Sequence, residues 1–258
     1  HQKLNSTNSV VVGGAEVNPP FAIQHQVVLS HRSGGQHFCA ASLIDEKYVI
    51  TAAHCVSQNG TYWLTFHRHN EYVPMEEEMA FERKSHKIHI HSRYRGPHEY
   101  LFSGKESLSD LRLDYDFALI ELDEPVTELQ PIPLYRDDSD LIDEKVGVSG
   151  WGAVSEGGPQ SPVLKYLGDL RVWSNQSCSR ALKFPISDAM ICAGGKEGED
   201  ACQGDSGGPL VSSEFKPRLV GVVSWGIGCA RDEFPGVYAR ISAVINWVDE
   251  IIGTGSNS

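Results

Sequence analysis

A chain of 258 residues, 40% hydrophobic and 22% charged, is long enough to bury one large core or two small ones, and its composition is globular rather than disordered. A formal charge of −12 argues against nucleic acid as a partner, because a polyanion would be repelled. No apolar run approaches the ~20 residues that cross a bilayer, so no membrane span is expected.

In chain order, residues 1–10 (HQKLNSTNSV) are polar and turn-rich and read as a leader. Because the chain starts at His1 rather than Met, a signal peptide is expected to have been removed already or to lie outside it. Short apolar or alternating runs follow, among them HQVVLSH, HFCAASLI, KYVITAA, YWLTFH, FALIEL, KVGVSGWG, LGDLRVW, RLVGVVSW and GVYARI. Gly, Pro, Asn and Asp separate them, which predicts many short strands in an all-β barrel or sandwich. Residues 67–115 differ: dense in charge and histidine and without regular alternation, they are expected to form long surface loops. One stretch reads as helix, since Ile241, Val244, Ile245, Val248 and Ile252 recur on one helical face, with Ser242 near its start and Gly253 just past its end. Residues 253–258 read as a flexible tail.

Six cysteines, Cys39, Cys55, Cys178, Cys192, Cys202 and Cys229, allow fifteen pairings. No Cys-x-x-Cys unit is present, so a zinc ribbon or thioredoxin site has no support. Asn5, Asn59 and Asn175 each head a glycosylation sequon. The sequons and the even cysteine count together point to an oxidising, secretory route and an extracellular protein.

The stretch ACQGDSGGPL (201–210) surrounds Ser206 with glycines. A plain turn would use the same residue types, but it leaves unexplained the apolar runs on both sides, AMICAGG and RLVGVVSWG. A serine nucleophile needs a base, and the base needs an orienting group. His54 closes the apolar run YVITAAHC beside Cys55, where a disulfide would hold its backbone still. By contrast His67, His69, His86, His89, His91 and His98 lie in the charged region; the His89–His91 pair could bind metal but has no evident third ligand. Asp116 immediately precedes the apolar run FALIEL and suits the orienter, whereas Asp114 reads as solvated.

The motifs TAAHC, DFALI and GDSGGP, in that order, resemble those of the trypsin and chymotrypsin family of serine proteases. VVGG (11–14), VSGWG (148–152), MICAG (190–194), SWG (224–226) and PGVYAR (235–240) extend the resemblance over residues 11–252. It implies two antiparallel six-stranded Greek-key β-barrels, at about 24–125 and about 130–240, a terminal helix at about 241–252, and an active site in the cleft between the barrels. It also implies the pairs Cys39–Cys55, Cys178–Cys192 and Cys202–Cys229.

The same resemblance assigns Ser206 as nucleophile, His54 as general base, Asp116 as its orienter, and the N–H groups of Gly204 and Ser206 as the oxyanion hole. Asp200, Ala201, Gln203, Ser224, Trp225, Gly226 and Gly236 would bind substrate. Asp200, six residues before the nucleophile, would meet an Arg or Lys cation at the base of the pocket. Ala201, where many relatives have serine, favours the bidentate guanidinium of Arg over Lys. The freed amine of Val11 would pair with Asp205 on activation. Activation usually follows Arg or Lys, however, and here the preceding residue is Val10, so the chain with its leader attached reads as a zymogen.

No cofactor and no metal are expected: the family's calcium loop is not recognisable in 67–82, and the run EEE at 76–78 reads as solvated charge. The segment between His54 and Asp116 is longer than is usual for the family and is expected to enlarge loops near 93–113, at the rim of the cleft. Expected partners are protein or peptide substrates with Arg or Lys before the scissile bond and protein protease inhibitors, the enzyme itself being a monomer. A non-catalytic homologue acting as a binding or inhibitory module is the alternative, and such proteins usually lose a residue of the triad, all three of which are present. Metal-dependent hydrolysis by the histidine-rich region is a third reading with less support.

Overall fold

The apolar runs fold as antiparallel strands that, in the computed structural model, close into two barrels. The structure describes residues 14–96, 113–153, 157–195, 204–227 and 233–253. After a two-residue strand β1 (Ala15–Glu16), the first barrel uses β2 (Gln26–Ser30), β3 (His37–Asp45), β4 (Tyr48–Thr51), β5 (Trp63–Phe66), β6 (Phe81–Ile90) and β7 (Ala118–Leu122), closed in the order β2-β3-β4-β7-β6-β5. The second uses β8 (Lys145–Gly150), β9 (Lys165–Trp173), β10 (Met190–Gly194), β11 (Pro209–Ser212), β12 (Leu219–Trp225) and β13 (Pro235–Arg240). Its order is β9-β10-β13-β12-β11-β8, the ring closes through β8 on β9, and β1 adds to the outer edge of β9. Two six-stranded antiparallel barrels with a short C-terminal helix are thus the architecture, as the sequence implied.

Inward-facing aliphatic and aromatic residues fill each barrel: Leu29, Leu43, Ile50, Leu64, Phe66 and Leu119 in the first, and Val148, Leu170, Ile191, Leu210 and Val220 in the second. Burial of each such side chain stabilises the fold by about 1.5–3 kcal/mol. Polar contacts join the barrels where they meet. Ser149 Oγ donates to Gln26 Oε1 at 2.6 Å, and Trp151 Nε1 donates to the carbonyl of His69 at 3.0 Å. Both bonds are buried, so they fix the relative placement of the barrels as well as adding stability.

Three elements differ from the sequence reading. The charged region contains the ten-residue strand β6, not only loops. Of its ten residues only Ile88 is buried, and the register shifts between Ser85 and Lys87, so a mostly solvent-facing strand shows no clean alternation. A helix at Asn175–Leu182 also went unread: its two turns bury only Cys178 and Leu182, too few apolar positions to reveal a period. Ser174 caps it, its side chain accepting from Ser177 N at 3.2 Å. At the C-terminus the apolar face runs first through a 3-10 turn (Ile241–Val244) and then an α-helix (Ile245–Ile252), which Gly253 ends in the left-handed region at φ 83°. Ser242 falls inside the 3-10 turn and caps nothing by its side chain.

The loop from Phe66 to Phe81 closes on one carboxylate. Glu78, 7% exposed, accepts from Arg68 Nη1 at 2.9 Å, His69 N at 3.2 Å and Asn70 N at 2.6 Å. The expectation that 76–78 is solvated therefore holds for exposed Glu76 and Glu77 but not for Glu78, whose positive partner is a side chain of the chain itself. Glu78→Ala leaves the Arg68 guanidinium with only the Val73 carbonyl and removes the acceptor of two backbone donors, and should cost about 3 kcal/mol, on the order of 6–12 °C in Tm. Glu78→Gln, which keeps the acceptor oxygen, should lose less. Calorimetry checks both, and a chelator should leave the wild-type Tm unchanged because Arg68 supplies the charge.

Candidate active site

His54 sits in a single 3-10 turn (Ala53–Cys55) that ends β4, and the disulfide Cys39–Cys55 ties this turn to β3. Thr51, the last residue of β4, donates its hydroxyl to the carbonyl of Ala40 at 2.7 Å, which anchors the approach to the turn. Asp116 arrives from the other direction, two residues before β7, and is 3% exposed. Its Oδ1 accepts from His54 N at 2.9 Å, and its Oδ2 accepts from His54 Nδ1 at 2.7 Å and from Ser224 Oγ at 2.6 Å. Three donors hold this buried carboxylate, and two of them come from one histidine.

The ring of His54 is part-exposed, with 32% of the side chain accessible. Burial pulls its pKa down, but the hydrogen bond and charge of Asp116 together outweigh this, so the net shift is upward from 6.5. Asp116 thus favours the imidazolium and fixes which ring nitrogen faces away from it.

Ser206 lies in a tight turn pinned to both barrels. Ala40 N donates to the Ser206 carbonyl at 2.8 Å, Gly207 N to the Val223 carbonyl at 2.9 Å, and Gly208 N to the Asp205 carbonyl at 2.9 Å. Gly204 and Gly207 take φ +100° and +81°, which favour glycine. A β-carbon on Gly207 would also collide with Thr51 Oγ1 and the Ala40 carbonyl. This close approach places Ser206 against the strand that leads into His54. Asp205 is fully buried, and its Oδ1 accepts from Gly152 N at 2.8 Å.

The remaining sequence assignments divide into those the structure locates and those it does not describe. Ser224, expected at the substrate, has its hydroxyl buried and given to Asp116, a contact the motif SWG alone does not reveal. Trp225 is half-buried, edge-on to Phe184 at 5.1 Å, Gly226 is exposed at the end of β12, and Gly236 is buried in β13 opposite Ala193. Asp200, Ala201, Gln203, Val11 and Asn5 lie outside the described residues, as do Cys202 and Cys229. The bridges Cys39–Cys55 and Cys178–Cys192 are formed.

Asn59 is exposed in a turn where Gly60 N donates to the Ser57 carbonyl at 2.9 Å. Asn175 instead donates Nδ2 to the Ser187 carbonyl at 2.9 Å. Asp114, read as solvated, is half-buried and accepts from Ser187 Oγ at 2.7 Å. His91 is packed against Tyr115 (4.7 Å) and edge-on to Trp247 (4.9 Å), an aromatic setting rather than a ligand's. Among the described residues the one group with metal-like spacing is Cys39, His54 and Cys55, whose two sulfurs are already bonded to each other.

A two-barrel fold carrying a His–Asp pair beside a glycine-framed serine defines a serine endopeptidase, and comparison with known proteins agrees. The family model described as Trypsin matches residues 11–248. The chain is 38% identical over 250 residues to Trypsin 5G1 of Aedes aegypti, covering 94% of this chain and 85% of that protein. It is 34% identical over 254 residues to the Vitellin-degrading protease of Bombyx mori (94% and 85%) and 34% identical over 247 residues to Trypsin II-P29 of Gallus gallus (94% and 89%). The chain belongs to the trypsin family.

The upward shift at His54 fixes the sign of a pH effect. The general base that the sequence assigns to His54 must be neutral to act, and a raised pKa means the neutral ring is lost as pH falls through a value above 6.5. The acid limb of kcat/KM should therefore have its midpoint above 6.5, and Asp116→Asn, which removes the charge, should lower the rate roughly 10³–10⁴-fold. A pH–rate profile of each protein checks this; a wild-type rate flat from about pH 5 to pH 8 is the contrary result.

Proposed function

We propose that this protein is a secreted, trypsin-like endopeptidase that hydrolyses peptide bonds after Arg, and less readily Lys, through an acyl-enzyme. The observation that carries the reading is the grip of Asp116 on both the backbone and the ring of His54. With Nδ1 committed to Asp116, Nε2 is the nitrogen left to take the proton of Ser206 as its oxygen attacks the scissile carbonyl. His54 then returns that proton to the leaving amine, and water repeats the sequence on the acyl-enzyme. The amides of Gly204 and Ser206 receive the oxyanion, each contributing about 3 kcal/mol to the transition state.

Specificity for Arg and Lys rests on Asp200, six residues before Ser206, and on Gly226 and Gly236, which leave room for a long side chain. Two of the relatives are themselves trypsins, which supports it. Two formed disulfides support an oxidising, extracellular setting, and exposed Asn59 is the better placed of the two described sequons for a glycan. Activation would free the amine of Val11 to pair with buried Asp205 and lock the turn at Gly204–Ser206. Cleavage of the Val10–Val11 bond would produce that amine, and Val10 calls for an activating protease that accepts apolar residues. The binding-module alternative is not favoured, since the whole triad is present.

A serine-directed organophosphate should label Ser206, and N-terminal sequencing of the labelled, active species should begin at Val11. Ser206→Ala and His54→Ala should each remove nearly all turnover, with the double variant no worse. Labelling elsewhere, or peptidase activity in Ser206→Ala, overturns the assignment. Asp200→Ser should cut cleavage after Arg and Lys by orders of magnitude, because the substrate cation would be buried unpaired. Peptides varied only before the scissile bond test this, and equal wild-type cleavage after Leu is the result against it.

A further inference from the structure

His37 opens β3, is 5% exposed, and is separate from the Asp116–His54 pair. Its Nδ1–H donates to Glu71 Oε2 at 2.5 Å. An ionised carboxylate only accepts, so the proton sits on Nδ1 and the ring is held in one orientation. The opposite edge carries Nε2, which is buried and has no hydrogen-bond partner among the described residues. That edge is turned toward Gly204: a β-carbon there would lie 3.1 Å from His37 Nε2.

Gly204 has no side chain with which to hold itself, and its φ of +100° belongs to the most permissive residue. Its surroundings do the holding. The same β-carbon position is 2.6 Å from Gln160 Nε2 and 3.3 Å from Gly152 Cα, so His37, Gln160 and Gly152 line the side of Gly204 on which a side chain would stand. Gln160 is fixed in turn, its Oε1 accepting from Gln36 Nε2 at 3.2 Å. Glu71 is equally well anchored: its N–H donates to the Pro162 carbonyl at 2.8 Å, and its loop is closed by the Arg68–Glu78 pair. On the far side of that loop, His69 Nε2 meets Glu16 Oε1 at 2.9 Å.

The geometry points to Glu71 and His37 as positioning residues for peptide hydrolysis: Glu71 orients the His37 ring, and the ring edge braces the Gly204 peptide so that its N–H stays aimed at the developing oxyanion. Neither touches substrate. The inference rests on the reading of Gly204 as an oxyanion donor. A brace of this kind acts on charge that exists only in the transition state, so its loss appears in kcat and leaves KM in place.

The test compares wild type, Glu71→Ala and Glu71→Gln on one peptide amide, with turnover counted per organophosphate-labelled serine. A peptide aldehyde of the same sequence, whose hemiacetal oxygen occupies the hole, provides the second reading. Glu71→Ala should lower kcat about tenfold or more, hold KM within about twofold, and weaken the aldehyde in proportion to kcat. Glu71→Gln keeps an acceptor for Nδ1–H and should stay within about threefold of wild type. Thermal unfolding confirms that each variant is folded; if Glu71→Ala is not, His37→Gln takes the same readings with the same expected losses. A folded variant with wild-type kcat and aldehyde affinity overturns the inference, as does a rise in KM alone. If instead the wild type itself shows no Ser206-dependent turnover, the functional reading falls and takes this inference with it.

Discussion

Asp116 is the carboxylate at which both barrels meet. His54, from the first barrel, brings it two donors, and Ser224, from a strand of the second, brings a third. A carboxylate that is 3% exposed tolerates its charge only while such donors are in place. The barrels must therefore dock in the register that supplies both sets at once, and the buried Ser149–Gln26 bond and the Trp151 bond to His69 enforce that register.

The turn carrying Ser206 obeys a complementary, steric constraint. It is threaded between Ala40 and Thr51 of one barrel and Val223 and Gly152 of the other, with glycine wherever a β-carbon would strike backbone or carboxylate. Gly150 and Gly152 would both clash with Asp205 if they carried side chains. The lack of side chains lets the turn approach both barrels closely, and its backbone hydrogen bonds to them supply the hold that glycine itself does not.

How much of this was legible depended on the residue. The barrels were, because short apolar runs such as HFCAASLI and FALIEL, bounded by turn residues, form strands buried over most of their length. The pairing of His54 with Asp116 was, because each sits in a motif whose order matched a known family, and composition alone would not have chosen among eleven histidines. Strand β6 was hidden by the charged side chains it presents to solvent, and the helix at 175–182 by its shortness. Contacts between distant segments left no local sign: Ser224 on Asp116 is 108 residues away, Ser187 on Asp114 is 73, and His37 on Glu71 is 34. A sequence pattern reports the period of a face, not which distant carboxylate a hydroxyl will find.

The amide of Asn175 is claimed twice. As the head of a sequon it offers Nδ2 to a sugar, and as the first residue of a capped helix it spends the same nitrogen on the Ser187 carbonyl. Ser187 in turn holds Asp114, so the bond belongs to a small chain linking the helix to the segment before Asp116. Were a sugar added there, its transfer and the folding of the helix would compete for one atom, and a chain that closes this helix early would offer a nitrogen already in use. Asn59, in its open turn, is under no such clock.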